Sequence, residues 1–298
     1  IVWLIKVHQC IRSGGSVRTG LIIVGLLCCQ NSSATEVTWL KTDWPPHQIT
    51  SGAHAEQGTF DLLLKQLIAQ LPNITHQVQV VNLPRLEQAF RQKSKSVCGF
   101  VSVFTEERAK NRWYSKAVAV LPGLAAHFRL SAEIKSHPAV QANGSVDVHQ
   151  LVQDAQLTGA YQPNRFYPPS VMAATRYANL IPHDFTSEVN AAALLLSKRV
   201  DYVIEYPERM AFYLKQKKQS SGIESVIVAD ASPYVVSYIT CNKSEQGQQI
   251  IKHIDTALMA LWQTEAYRQS MFSWIDQADQ KALEPAFLSV KLQVINAQ

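Results

Sequence analysis

The sequence is poor in the features that announce common chemistries. It has no GxGxxG, no phosphate-cradling P-loop and no GxSxG, so dinucleotide, nucleotide-triphosphate and α/β-hydrolase readings lose their usual support. None of its nine histidines stands in an HExxH helix. His183 beside Asp184 and His253 near Asp255 are isolated pairs, so no metal centre and no cofactor is expected. The basic patch Lys215, Lys217, Lys218 lacks interleaved aromatics and reads as a solvated helix end, which leaves no nucleic-acid surface. Repeats and low-complexity tracts are absent too. Cysteine is scarce: of five, Cys10, Cys28 and Cys29 lie within the first 34 residues, leaving Cys98 and Cys241. Two thiols are too few for a zinc site, which needs about four ligands.

Charge of one sign is also missing. The formal net charge is +5, but Lys6, Arg12 and Arg18 fall in the first 34 residues, which hold no acid, so the remainder is close to neutral and has little means of steering a polyanion. Those first residues have the pattern of a secretory leader. Arg18 is a short basic region, Leu21 to Cys29 (LIIVGLLCC) is an apolar core too short to span a bilayer, and Ser32 and Ala34 are small residues placed for cleavage after Ala34. Residues 1–16 read as an upstream extension, with Val17 as a candidate initiator. The residues before Cys28 and Cys29 are not the small ones a lipidation site needs. The expected location is therefore the periplasm, where the two remaining thiols are disulfide candidates.

With 47% hydrophobic residues the rest of the chain can bury a sizeable core. Residues 36–42 read as a strand ended by Pro45 and Pro46. Phe60, Leu63, Leu64, Leu67, Ile68 and Leu71 form a helical stripe closed by Pro72, with Asp61 in the first turn. A strand at His76 to Val81, a helix at Leu86 to Arg91 and a buried strand at Val97 to Phe104 complete one α/β lobe. The rhythm returns with strands at Leu157 to Tyr161, Val200 to Glu205 and Ile223 to Val228, and helices at Val189 to Leu196 and Pro207 to Lys215. Leu121 to Phe128 and Tyr234 to Cys241 are apolar and extended, and read as two crossings between lobes. Helices at Ser244 to Leu261 and Thr264 to Trp274 then return to the first lobe. The expected organisation is a leader and extension over 1–34, lobe 1 over 35–124, lobe 2 over 125–235, and a return to lobe 1 over 236–298.

The segments TDWPPHQ (Thr42 to Gln48), QGTFD (Gln57 to Asp61), TEERAKNRWYS (Thr105 to Ser115), RVDYVIEYP (Arg199 to Pro207) and YITCNKSEQG (Tyr238 to Gly247) carry a resemblance. In order and spacing, over roughly residues 36–276, the chain resembles the type II periplasmic substrate-binding superfamily, near the polar amino-acid-binding proteins of ABC importers. It is most similar to an uncharacterised extracytoplasmic subgroup. The resemblance implies an α/β fold of two lobes, with a discontinuous first lobe and two hinge crossings. It also implies that the strands bearing Cys98 and Cys241 are neighbours, hence a Cys98–Cys241 disulfide.

It further implies a ligand site. Thr105 follows a buried strand and can cap a helical turn from Glu106, and Arg108 in that turn matches the arginine that grips a ligand carboxylate with two parallel hydrogen bonds. Glu205, ending an apolar strand, stands where related proteins place the acid that takes the ligand's ammonium group. Arg108 and Glu205 are therefore expected to face one another across the cleft. Trp44 matches an aromatic that packs on the ligand, and Tyr161, Arg165 and Tyr206 sit on loops that can line the second wall. Two departures count against a free amino acid: Val103 replaces a hydroxyl residue, and YQPNRF (Tyr161 to Phe166) replaces a Gly-Thr turn.

The function implied is a monomeric extracytoplasmic solute-binding protein that closes on a small polar, carboxylate-bearing ligand for an ABC importer permease or a membrane sensor. No catalytic residue is assigned. The alternative is a dehydratase-like enzyme on the same scaffold, with Glu205 as general acid and Arg108 holding a carboxylate.

Overall fold

The structure, a computed structural model, describes residues 35–101, 103–129, 134–163, 165–185, 189–218 and 222–296. The leader predicted over 1–34 lies outside the described residues.

Two five-stranded sheets organise the chain. The first has the order β2-β1-β3-β10-β4, from β1 (Thr35–Lys41), β2 (Ile74–Val80), β3 (Val97–Val101), β4 (Arg112–Pro122) and β10 (Tyr234–Asn242). The second has the order β7-β6-β8-β5-β9, from β5 (Ala125–Arg129), β6 (Gly159–Tyr161), β7 (Leu180–Pro182), β8 (Tyr202–Glu205) and β9 (Ile223–Ile227). In each sheet three neighbouring strands pair in parallel, and a fourth strand running the same way is joined to them through one antiparallel strand, β10 in the first sheet and β5 in the second. The chain passes from β4 to β5 and returns from β9 to β10, so the first lobe is discontinuous and the lobes are joined by two crossings.

The first lobe packs helices on its sheet as the apolar periods dictate. Helix α1 (Thr59–Ala69) buries Phe60, Leu63, Leu64 and Leu67 against a core that includes Trp39, Cys98 and Ile239. Helix α2 (Leu83–Arg91) puts Leu86 and Phe90 with Leu40 and Val97. The short α3 (Glu106–Ala109) follows β3. The second lobe carries α4 (Val148–Leu151), α5 (Pro169–Ala174), α6 (Ala191–Leu196) and α7 (Pro207–Gln216), in two clusters containing Tyr202 and Val203 respectively, as the alternation of a strand buried on both sides requires. Helices α8 (Glu245–Leu261) and α9 (Glu265–Met271) return to the first core, and Cys98 of β3 and Cys241 of β10 stand opposite in register and form a disulfide.

Three expectations change. The buried strand from Val97 ends at Val101, and Phe104 is exposed, because the chain must turn out to start α3. Arg112 to Val120, left unassigned above, forms most of the long edge strand β4. Its charged start is accommodated because Arg112 lies over the Phe90 ring at 4.2 Å and pairs with Glu87. A last helix, α10 (Gln277–Asn296), follows those expected above and carries Pro285 in its interior, where proline removes a helical amide. It buries Leu283, Phe287, Val290 and Val294 on the first lobe, and this packing outweighs the missing amide.

The two crossings touch. The Gly123 amide donates to the Pro233 carbonyl at 3.0 Å, and a Cβ at Gly123 would lie 2.1 Å from the Ser232 oxygen, so only glycine admits this approach.

Candidate functional site

Between the lobes lies a cavity of about 530 Å³. Its first wall is built where β1, β2 and β3 end: Thr42 to Pro45, Val80 to Leu83, Arg85 to Glu87, Phe100, Val103 and Arg108. Its second is built where β6, β7 and β8 end: Gln162, Arg165, Phe166, Phe185, Tyr206, Arg209 and Tyr213. All six are the parallel strands, and the crevice beyond their carboxyl ends is the ligand position of open α/β sheets.

The loop after β1 is fixed from both directions. Lys41, at the strand's end, forms a buried 2.7 Å ion pair with Asp61 in the first turn of α1. Asp61 Oδ2 accepts from the amides of Gly58 at 3.1 Å and Ile49 at 2.9 Å. Trp44 and Gln48 close the loop with a backbone bridge. From the second lobe, His47 Nε2 meets Glu208 Oε1 of α7 at 3.0 Å, both side chains buried, and Arg209 Nη1 donates to the Pro45 carbonyl at 2.6 Å. The guanidiniums of Arg165 and Arg209 lie 5.4 and 5.5 Å from the Trp44 ring centre, within cation–π range. Trp44 is thus clasped between lobes.

Four of the expected residues come together on the cavity: Trp44, Arg108, Arg165 and Tyr206. Burial pushes the Tyr206 phenol up to about 12. The other three do not line it. Thr105 is the cap that was expected, its Oγ1 accepting from the Arg108 amide at 3.2 Å, and so it positions the turn that carries Arg108. Tyr161 packs edge-on to Tyr167 at 5.9 Å in the second-lobe core.

Glu205 is 0% exposed, so it does not face Arg108 across open space and has no surface to offer an ammonium group. Its Oε1 accepts from Arg165 Nη1 at 2.7 Å and from the Tyr206 amide at 2.9 Å. Arg209 Nε stands 3.1 Å from Oε2, an ion pair off the hydrogen-bond line. Burial alone would raise this carboxyl, but the two guanidiniums and these hydrogen bonds outweigh it and hold it at about 2. A carboxyl so acidic is not a proton donor at neutral pH, and the dehydratase-like alternative loses its general acid.

Beneath Glu205, buried His127 donates from Nε2 to the Glu205 carbonyl at 2.9 Å, because a carbonyl only accepts, and Nδ1 therefore accepts from Ser225 Oγ at 2.8 Å. Burial lowers this imidazole to about 4, so it is neutral.

Arg108 has a different setting. Among the described residues it has no carboxylate partner; Nη1 donates to the Val103 carbonyl at 3.3 Å, and the neighbouring Glu107 pairs with Lys110. The sequence reading missed Arg209, Arg85, Gln162, Phe166 and Tyr213 on the cavity. Arg209 had a signal in its place four residues beyond Glu205 at the start of a helix, and Gln162 and Phe166 in the YQPNRF turn that carries them. No group of metal-ligating side chains occurs among the described residues, and no helix there is long and apolar enough to cross a membrane.

The architecture is the two-lobed fold of type II periplasmic binding proteins. A histidine kinase sensor domain with similarity to periplasmic binding proteins matches at a TM-score of 0.59 and 15% identity, over 81% of this chain and 96% of that one. An ancestral arginine-binding protein bound to arginine matches at 0.58 and 19%, over 82% and 99%. A probable amino-acid ABC transporter extracellular-binding protein from Bacillus subtilis matches at 0.56 and 16%, over 81% and 99%. No protein-family model and no curated protein matches the chain.

Proposed function

We propose that the chain is an extracytoplasmic solute-binding protein, monomeric and without catalytic activity, whose lobes close on a small carboxylate-bearing solute and deliver the closed form to an ABC importer permease or a membrane sensor. The observation that carries this reading is Arg108, a guanidinium on the wall of an inter-lobe cavity with no carboxylate partner among the described residues. A planar cation held by its own turn and free of a protein anion suits two parallel hydrogen bonds to a ligand carboxylate. Trp44 supplies a rigid face between the lobes, Arg165 and Tyr206 the opposite wall, and Thr105 and Glu205 act from behind by fixing Arg108 and Arg165. The ties of His47 to Glu208 and of Arg209 to Pro45 are contacts that a closed form makes and an open form breaks. The likeness to binding proteins and a sensor domain supports both outlets, import and sensing.

The test is a thermal-shift screen of the purified chain against amino acids, short peptides, polyamines and aromatic or aliphatic acids. A ligand at 100 times its Kd adds about 2.7 kcal/mol, enough to raise the Tm by several degrees. A carboxylate-bearing solute is expected among the stabilisers; a screen in which none stabilises would end this reading.

A further inference from the structure

The cavity offers cations in excess and an apolar interior. Arg165 and Arg209 share the single carboxylate of Glu205 and keep one net positive charge between them. Arg108 and Arg85 add two more, since neither has an acidic partner among the described residues. The acids on or behind the wall do not restore the balance. Glu87 is committed to Arg112. Asp43 is exposed at the rim, with Oδ1 accepting from the Thr50 amide at 3.1 Å and the Thr50 hydroxyl at 2.6 Å. Glu205 is sealed behind the guanidiniums. Between the charges the wall is apolar, with Leu83, Phe100, Phe166 and Phe185 facing the same space.

We infer that the solute is an organic acid with an apolar or aromatic body and no α-ammonium group, and that the cleft discriminates against amino acids; this rests on the solute-binding reading above. A carboxylate gains a bidentate partner at Arg108. An ammonium group attached to the same ligand enters a space lined by more guanidiniums than free carboxylates, where the acid at the end of β8 is already paired with two of them. It loses its hydration and gains no anion in exchange. Asp43 alone remains, and an exposed ion pair, screened by water and salt, is too weak to offset that loss. Val103 offers no side-chain acceptor on the same wall.

The experiment compares acids that differ only in the ammonium group: 3-phenylpropionate against phenylalanine, 4-methylpentanoate against leucine, and glutarate against glutamate. Calorimetric Kd values are measured on the full chain and on Asp43→Asn. The expected result is that the acid without the amine binds at least tenfold more tightly in at least one pair, and that Asp43→Asn leaves this ratio unchanged within twofold. If in every pair that binds the amino acid comes within tenfold of its partner or exceeds it, the inference is overturned while the solute-binding reading stays intact. A preference that widens more than twofold in Asp43→Asn would likewise overturn it, by showing that the rim carboxylate pairs with an ammonium group. Failure of these probes and of the wider panel of amino acids, peptides, polyamines and acids to bind would remove both.

Discussion

Arg209 of the second lobe donates from Nη1 to the main-chain oxygen of Pro45 in the first, at 2.6 Å, while its Nε lies 3.1 Å from Glu205. One side chain thus ties the lobes together and half-neutralises the buried carboxylate behind the cleft. Arg209→Met keeps the volume and removes both roles. Leaving a buried charge short of a partner costs on the order of 3 kcal/mol, so urea unfolding should show a loss of that size. Small-angle scattering should show a larger radius of gyration as the lobes part. A variant as stable and compact as the parent would mean that the contact holds nothing.

Acid should weaken the fold in a defined window. His127 has its folded pKa lowered to about 4, so between there and its ordinary 6.5 the unfolded chain binds more protons, and stability falls as pH falls. The full shift corresponds to about 3 kcal/mol. Glu205, at about 2 when folded, adds a loss of the same sign between its ordinary 4.5 and pH 2. Asp279 opposes them. Burial, then Asp276 and Glu208, raise it to about 6, so its contribution is lost as pH rises through 6, and its partial exposure keeps that contribution small. His127→Gln should be less stable than the parent at pH 7, and the gap should narrow by about 2–3 kcal/mol at pH 4. A gap independent of pH would contradict a neutral, buried His127.

The Cys98–Cys241 bridge closes a loop over a separation of 143 residues that contains the whole second lobe. On the chain-entropy model such a loop contributes about 5 kcal/mol. The double variant Cys98→Ala/Cys241→Ala should therefore lose several kcal/mol in urea. Unreduced parent protein should yield no alkylatable thiol from these two positions; two free thiols would rule the bridge out.

Gly123 sits where the crossings touch. Gly123→Ala drives a methyl into the Ser232 carbonyl, and relief requires the two crossings to separate. The expected cost is about 1–3 kcal/mol, with the bound form penalised beyond the free one if closure needs the crossings in register. An unchanged Tm with and without ligand would show that the crossings move freely.

Much of this architecture was legible in the sequence because it rests on local periods. The stripe from Phe60 to Leu71 gave α1, the apolar run before Glu205 gave β8, and two thiols surviving the leader gave the disulfide once the resemblance made their strands neighbours. What escaped depends on contacts distant in the chain. Helix α10 forms despite Pro285 because Phe287 and Val290 bury on the first lobe. β4 begins with a charged residue that only Phe90 and Glu87 can house. The double pairing of Glu205 escaped for the same reason. Arg209 stands only four residues on, but Arg165, forty residues earlier, reaches Glu205 only because β6 lies beside β8.

The account stands most directly on Arg108, and one titration tests it. With the tightest-binding carboxylate from the screen, Kd is measured for the parent and for Arg108→Lys, together with the Tm of each in the absence of ligand. The substitution keeps the charge and removes the planar fork, so binding should weaken at least tenfold while the unliganded Tm stays within about 2 °C, as for a half-exposed residue without an ion pair. Equal affinity in the two proteins would contradict a ligand carboxylate at Arg108, and with it the central claim.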